Sequence, residues 1–108
     1  SEAPFTDWKF KRMEFRVGGP DFLPLDDGNI ILGSRSYYIP SHNKTAIYRG
    51  SADGDFQEVL LLPSGGDTSY TGLMVEGDTL WVSYYSSHET PNASVYLARI
   101  PLSVLGIK

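Results

Sequence analysis

The chain has 108 residues with no cysteine, 9 Lys and Arg against 13 Asp and Glu, a formal charge of −4, and 41% hydrophobic residues. That length suits one small domain. An acidic chain without a basic run is a poor fit to a polyphosphate backbone or an anionic membrane, the missing cysteines exclude disulfide bracing, and no apolar run reaches the ~18 residues of a spanning helix.

No stretch carries a helical period. The apolar runs are short and bounded by Gly, Pro, Asp and Asn, which predicts strands and turns. Trp8 to Val17 alternates, with Trp8, Phe10, Phe15 and Val17 set among charged residues, and reads as a half-exposed outer strand that slips near Met13. Asp21–Leu25 is a short strand, and Asp26-Asp27-Gly28-Asn29 a hairpin turn, because Asp-Gly and Gly-Asn tolerate positive φ. Ile30–Tyr37 is the next strand. A loop through Pro40 and His42 leads to strands Thr45–Gly50 and Phe56–Leu62, joined by a turn at Ser51–Asp55. A second pass gives Tyr70–Val75, the Glu76-Gly77-Asp78 turn, Leu80–Tyr85, a loop, and Ser94–Ile100.

The two passes echo one another. Gly18-Gly19-Pro20-Asp21 returns as Gly65-Gly66-Asp67-Thr68, Asn29–Ser34 as Thr79–Tyr84, Ser41-His42 as Ser87-His88, and Ala46-Ile47-Tyr48 as Ser94-Val95-Tyr96. Stranded repeats of roughly 40–50 residues are the pattern of β-propeller blades. With strands labelled A to D from the centre outward, the chain reads D-A-B-C-D-A-B-C. It is an all-β module (residues 1–108) of two four-stranded antiparallel blades cut out of phase: residues 1–62 supply an outer strand plus the first blade, and residues 63–108 the second. The fourth strand of the second blade would come from residues 8–17 of the same or a neighbouring chain. Two blades cannot close a ring, since propellers have about 4–8, and each blade buries its faces only against neighbours. The expected arrangement is a homotrimer forming a six-bladed ring; the alternative is that these blades are part of a longer ring.

Ser51-Ala52-Asp53-Gly54-Asp55-Phe56 resembles a shortened Asp-box (BNR repeat), with Phe56 in the aromatic place; Asp7-Trp8 looks like the tail of another copy. The Asp carboxylate of such a turn can accept backbone N–H bonds, so the motif is structural. Gly66-Asp67-Thr68-Ser69-Tyr70-Thr71-Gly72-Leu73 and Leu80–Glu89 are similar to the end of sialidase-like propellers. The resemblance covers about Trp8 to Pro101 and implies fold before activity.

Strand connectivity sends Gly18–Asp21, Tyr37–Lys44, Ser64–Ser69 and Ser86–Asn92 to one mouth. The resemblance implies a nucleophilic role for Tyr70 with Glu89 as its activating carboxylate, sialidases being exceptions to the usual carboxylate pair. Arg35 offers the bidentate guanidinium suited to a carboxylate ligand. Asp21, Asp67, His42, His88, Tyr84 and Tyr85 are the other candidate ligand-binding residues, with Tyr37, Tyr38 and Trp81 as further members of a sugar-stacking platform. Half of these aromatics must face the core by strand alternation. Tyr70 is equally explained as an aromatic packed at the start of an inner strand, and Arg35 as the partner of Asp21 or Asp67. No metal site, cofactor or phosphate loop is expected: two histidines without ligand spacing do not make a zinc site.

The expected function is a glycan-binding or vestigial sialidase-like module lacking a full catalytic set. The alternatives are an exo-sialidase completed by oligomerisation or further blades, and a scaffold without ligand. Expected partners are copies of the chain and a glycan. The compartment is open, a secreted or periplasmic location being one option.

Overall fold

A computed structural model describes residues 3–8, 10–37 and 43–107. Among the described residues, seven strands form two antiparallel sheets. The first is β1 (Gly18–Pro24), β2 (Ile30–Tyr37), β3 (Asn43–Gly50) and β4 (Phe56–Leu61), hydrogen-bonded in that order. The second is β5 (Thr68–Glu76), β6 (Thr79–Ser86) and β7 (Ser94–Pro101). A single 3₁₀ turn, Leu102–Leu105, follows Pro101 and is closed by Gly106 at φ 73°.

The turn chemistry written in the sequence explains the hairpins. Asp27 accepts the Asn29 backbone N–H at 2.9 Å and the Asn29 side-chain amide at 2.8 Å, while Gly28 takes φ 89°. Between β3 and β4, Gly54 sits at φ 84° and the Asp53 N–H donates to Ser51 Oγ at 3.3 Å. The serine, not the expected aspartate, is the acceptor in that turn.

The sheets stack face to face. Ile31 and Ile47 of the first sheet meet Leu80, Val82, Tyr84 and Ile100 of the second, with Leu102, Leu105 and Ile107 sealing one end. Alternation along each strand puts every second side chain into this layer. Gly33 is required where the backbones come closest: a Cβ there would overlap the Thr71 side chain. The other face of the first sheet carries a smaller cluster, Leu32, Ala46 and Tyr48, covered by Met13, Phe15 and Phe56.

The strand expected over Trp8–Val17 does not form. Phe10–Val17 runs without regular structure and bends at Glu14–Phe15. It lies across the first sheet, where Phe15 stacks on Tyr48 with centroids 4.6 Å apart. A strand needs a neighbouring edge to take up its N–H and C=O groups, and in one copy of the chain this segment meets a sheet face instead. The second sheet accordingly has three strands, and among the described residues β7 has no partner on its outer side.

Candidate functional site

The two strands that pack against each other across the sheets, β1 and β5, carry the same irregularity. In β1, Gly18 pairs with Arg35 and Asp21 with Gly33; in β5, Ser69 pairs with Tyr85 and Gly72 with Ser83. Each inner strand thus holds one residue more than its partner, a β-bulge. The residues at the bulges have positive φ: Gly19 at 56° and Tyr70 at 54°. Glycine takes this conformation freely, but for tyrosine it is strained. Such outliers persist only where the surroundings hold them. The bulge turns Tyr70 outward, leaving it 69% exposed.

Around Tyr70 the structure gathers groups distant in sequence. Its ring stacks on Tyr85 with centroids 5.9 Å apart. Arg35, at the same ladder position in the first sheet as Tyr85 in the second, spans the two sheets. Its Nε donates to the Thr68 carbonyl at 2.8 Å and its Nη2 to the Tyr85 hydroxyl at 3.2 Å. The Tyr85 hydroxyl also meets the Asp67 carboxylate. Burial and then Asp67 hold this phenol above its ordinary pKa, while Arg35 pulls it down. Arg16 lies over the Tyr37 ring at 4.2 Å and Arg35 stands 5.8 Å from the same ring, within the range of cation–π attraction. An open recess of about 390 Å³ borders Arg16, Tyr37, Tyr48 and Glu58; Arg35, Tyr70 and Tyr85 do not line it.

The floor is a buried hydroxyl pair. Thr68 Oγ1 donates to the Tyr85 carbonyl at 2.8 Å, so Thr45 must be the donor in the 2.5 Å contact between the two threonines. Ser69 Oγ donates to the Gly18 carbonyl at 3.1 Å. These bonds fix the two bulges relative to each other.

Of the residues singled out in the sequence, Arg35, Asp67, Tyr70 and Tyr85 come together. Asp21 instead ties the sheets: its carboxylate accepts the Leu73 N–H at 3.1 Å and the Phe22 N–H at 3.0 Å. Tyr84 is buried, and its hydroxyl donates to the Pro63 carbonyl at 3.0 Å. His88 packs on Tyr96 at 4.4 Å, with Nδ1 2.9 Å from Ser86 Oγ. Glu89 faces Tyr96, whose pKa it raises through a hydrogen bond; Tyr70 has its ring contact with Tyr85. His42 and Tyr38 lie outside the described residues. Arg16 was missed, because its place beside Tyr37 follows from the path of residues 10–17 over the sheet and no local pattern marks it. Among the described residues, no three His, Cys, Asp or Glu side chains gather as a metal ligand set.

A second groove, about 430 Å³, opens at the far end between residues 11–15 and the Ser51–Phe56 turn. Two of the cations lining it are engaged: Lys11 pairs with Asp55, and Arg49 donates to the Leu105 and Gly106 carbonyls at 2.9 and 3.0 Å.

No family model, curated protein or solved structure matches this chain. What fold and site define is a class: an all-β protein of two stacked antiparallel sheets, with an arginine–tyrosine cluster where their inner strands bulge.

Proposed function

We propose that the two sheets are adjacent blades of a sialidase-like β-propeller module, and that the Arg35 end binds glycans without hydrolysing them. Support for the blades comes from the sheet order, innermost strand first in both, and from the shared bulge. The observation that carries the binding role is the pairing of Arg35 with the stacked Tyr70 and Tyr85 rings. A half-buried guanidinium beside exposed aromatic faces suits a sugar bearing a carboxylate: the ring stacks while the anion is held by charge-assisted hydrogen bonds.

The exo-sialidase alternative has one observation in its favour, the exposed and strained Tyr70. Its hydroxyl would need an adjacent carboxylate to take the proton. Glu89 sits with Tyr96, and Asp67 with Tyr85. Binding without turnover is therefore the better reading.

Titration with 3′-sialyllactose and with lactose, followed by isothermal calorimetry, tests it. Saturable binding of the sialoside, weakened at least tenfold in Arg35→Ala, is expected, with no release of fluorophore from a fluorogenic sialoside. No binding of either sugar overturns the glycan role, and equal affinity for both overturns Arg35 as the carboxylate clamp; turnover abolished by Tyr70→Phe restores the enzyme.

A further inference from the structure

The ladder registers make the two sheets superposable position by position. Gly33 corresponds to Ser83 and Arg35 to Tyr85. Carried through the β2–β3 and β6–β7 ladders, Ile31 then corresponds to Trp81, Thr45 to Val95, Ile47 to Leu97, and Arg49 to Arg99. The first member of each pair belongs to the face that the second sheet covers. Ile31 and Ile47 are 0% exposed, whereas Leu97 is 64% and Val95 80% exposed. The second sheet thus leaves Val95 and Leu97 exposed on the face whose equivalent the first sheet buries, with Trp81 beside them partly covered by Arg99. Met74 and Tyr70 extend that apolar surface.

The covering side has its counterpart as well. What covers Ile31 and Ile47 is the Leu80, Val82 and Ala98 face of the second sheet. Its equivalent on the first sheet is Ile30, Leu32 and Tyr48, the face carrying the smaller cluster. Residues 10–17 already lie on that face, with Met13 and Phe15 against Leu32, Ala46 and Tyr48. β4 stands in a matching relation one sheet later: it is the fourth strand of the first sheet, and its Val59 and Leu60 pack into the layer shared with the second.

We propose that copies of this chain stack head to tail, the Trp81–Leu97 face of one against the Leu32–Tyr48 face of the next. Residues 10–17 of the second copy then add to the free edge of β7 as its fourth strand. In a single copy residues 10–17 bury Leu32, Ala46 and Tyr48, so they must straighten and slide toward the β7 edge as the faces meet; the intramolecular sheet stacking is then repeated between chains. A head-to-tail contact either closes into a ring or grows into a filament. Three copies give six sheets, within the range of about 4–8 that closed rings of this kind use. This assembly rests on the register equivalence and not on glycan binding, so either can fail alone.

Light scattering after size exclusion gives the mass, and hydrogen exchange followed by mass spectrometry reads the β7 edge. The expected mass is about three times the 12.0 kDa of one chain, with the amides of residues 94–101 protected. Leu97→Arg, at an exposed position that folding of one copy does not need, is expected to give a folded monomer in which exchange at those amides is at least tenfold faster. A wild-type monomer at all concentrations overturns the proposal. So does an oligomer that Leu97→Arg leaves intact, since assembly would then use another face.

Discussion

The Tyr70 ring lies against Gly19, the residue that occupies the same bulge position one sheet earlier. A Cβ on Gly19 would press on both the Ser69 hydroxyl and that ring, and Gly19 has φ 56°. Gly19→Ala is therefore expected to cost about 1–3 kcal/mol, the range for a non-glycine residue held in a sparsely populated backbone region. Urea unfolding followed by circular dichroism measures it. Tyr70→Gly removes the strain at φ 54° but adds chain entropy to the unfolded state, so its stability should stay within about 1 kcal/mol of wild type. The same variant loses the exposed ring and is expected to lose sialoside affinity, which separates binding from folding at one position.

Thr71 Oγ1 is buried without a hydrogen-bond partner, facing Gly33 across the two sheets. An unpaired buried hydroxyl carries a desolvation cost of about 1–3 kcal/mol. Thr71→Val keeps the shape and removes the polar atom, so it should stabilise the protein by about 1 kcal/mol. An unchanged or lower urea midpoint would mean that the hydroxyl is satisfied in solution.

Arg35 joins the sheets through the Thr68 carbonyl and the Tyr85 hydroxyl. Arg35→Lys keeps the charge but loses the planar fork, and lysine is no substitute where two directed contacts are needed. We expect a stability loss of about 1–2 kcal/mol, from one charge-assisted bond to a part-buried acceptor. Calorimetry with 3′-sialyllactose should show weaker binding in Arg35→Lys than in wild type, and weaker still in Arg35→Ala.

Ile47 and Leu97 hold equivalent places but opposite environments. Ile47→Ala opens a cavity in the inter-sheet layer and should cost about 2–5 kcal/mol. Leu97→Ala touches no core of its own copy, so its cost should appear only through association. Its thermal midpoint is expected to fall most at concentrations where the wild type is assembled, and to match wild type on dilution. A loss independent of concentration would show that Leu97 stabilises the single chain.

Alkaline pH should destabilise the protein through its raised phenols. Tyr48, Tyr84 and Tyr85 are all raised, with burial the leading cause in each. A raised phenol means that the folded state favours the neutral form. That stability is fully present below the ordinary tyrosine value of about 10 and is lost as pH rises through the higher folded values. Urea midpoints between about pH 8 and 11 should fall on the alkaline side, and Tyr84→Phe should flatten the fall.

Much of this architecture was legible from composition and local pattern. The Asp27–Asn29 and Asp53–Gly54 turns, the strands between them and the two-pass repeat follow from which residues tolerate positive φ and which alternate. Strand connectivity put the loop carrying Asp67 at one end, but the meeting of Arg35 with Tyr85 there did not follow from it. The register between passes was legible only in part: the echo of Asn29–Ser34 in Thr79–Tyr84 has the spacing of the ladders, and the other echoes do not. The echoes of Gly19 in Gly66 and of Tyr48 in Tyr96 look convincing in the sequence, yet the ladders equate Gly19 with Tyr70 and Tyr48 with Ala98. Similar letters in neighbouring loops slipped past one another, because loop length is free while ladder pairing is fixed residue by residue.

The sequence by itself determined local things: short strands, tight turns, an all-β class and a duplicated unit, since these depend on backbone preferences and on neighbours a few residues away. Only the tertiary structure decided that residues 10–17 lie on a sheet face, that Asp21 and Tyr84 are spent on holding the sheets together, and that Arg35 reaches Tyr85. Those outcomes depend on which surfaces meet when two sheets stack, and a contact between residues fifty positions apart has no local signal to announce it.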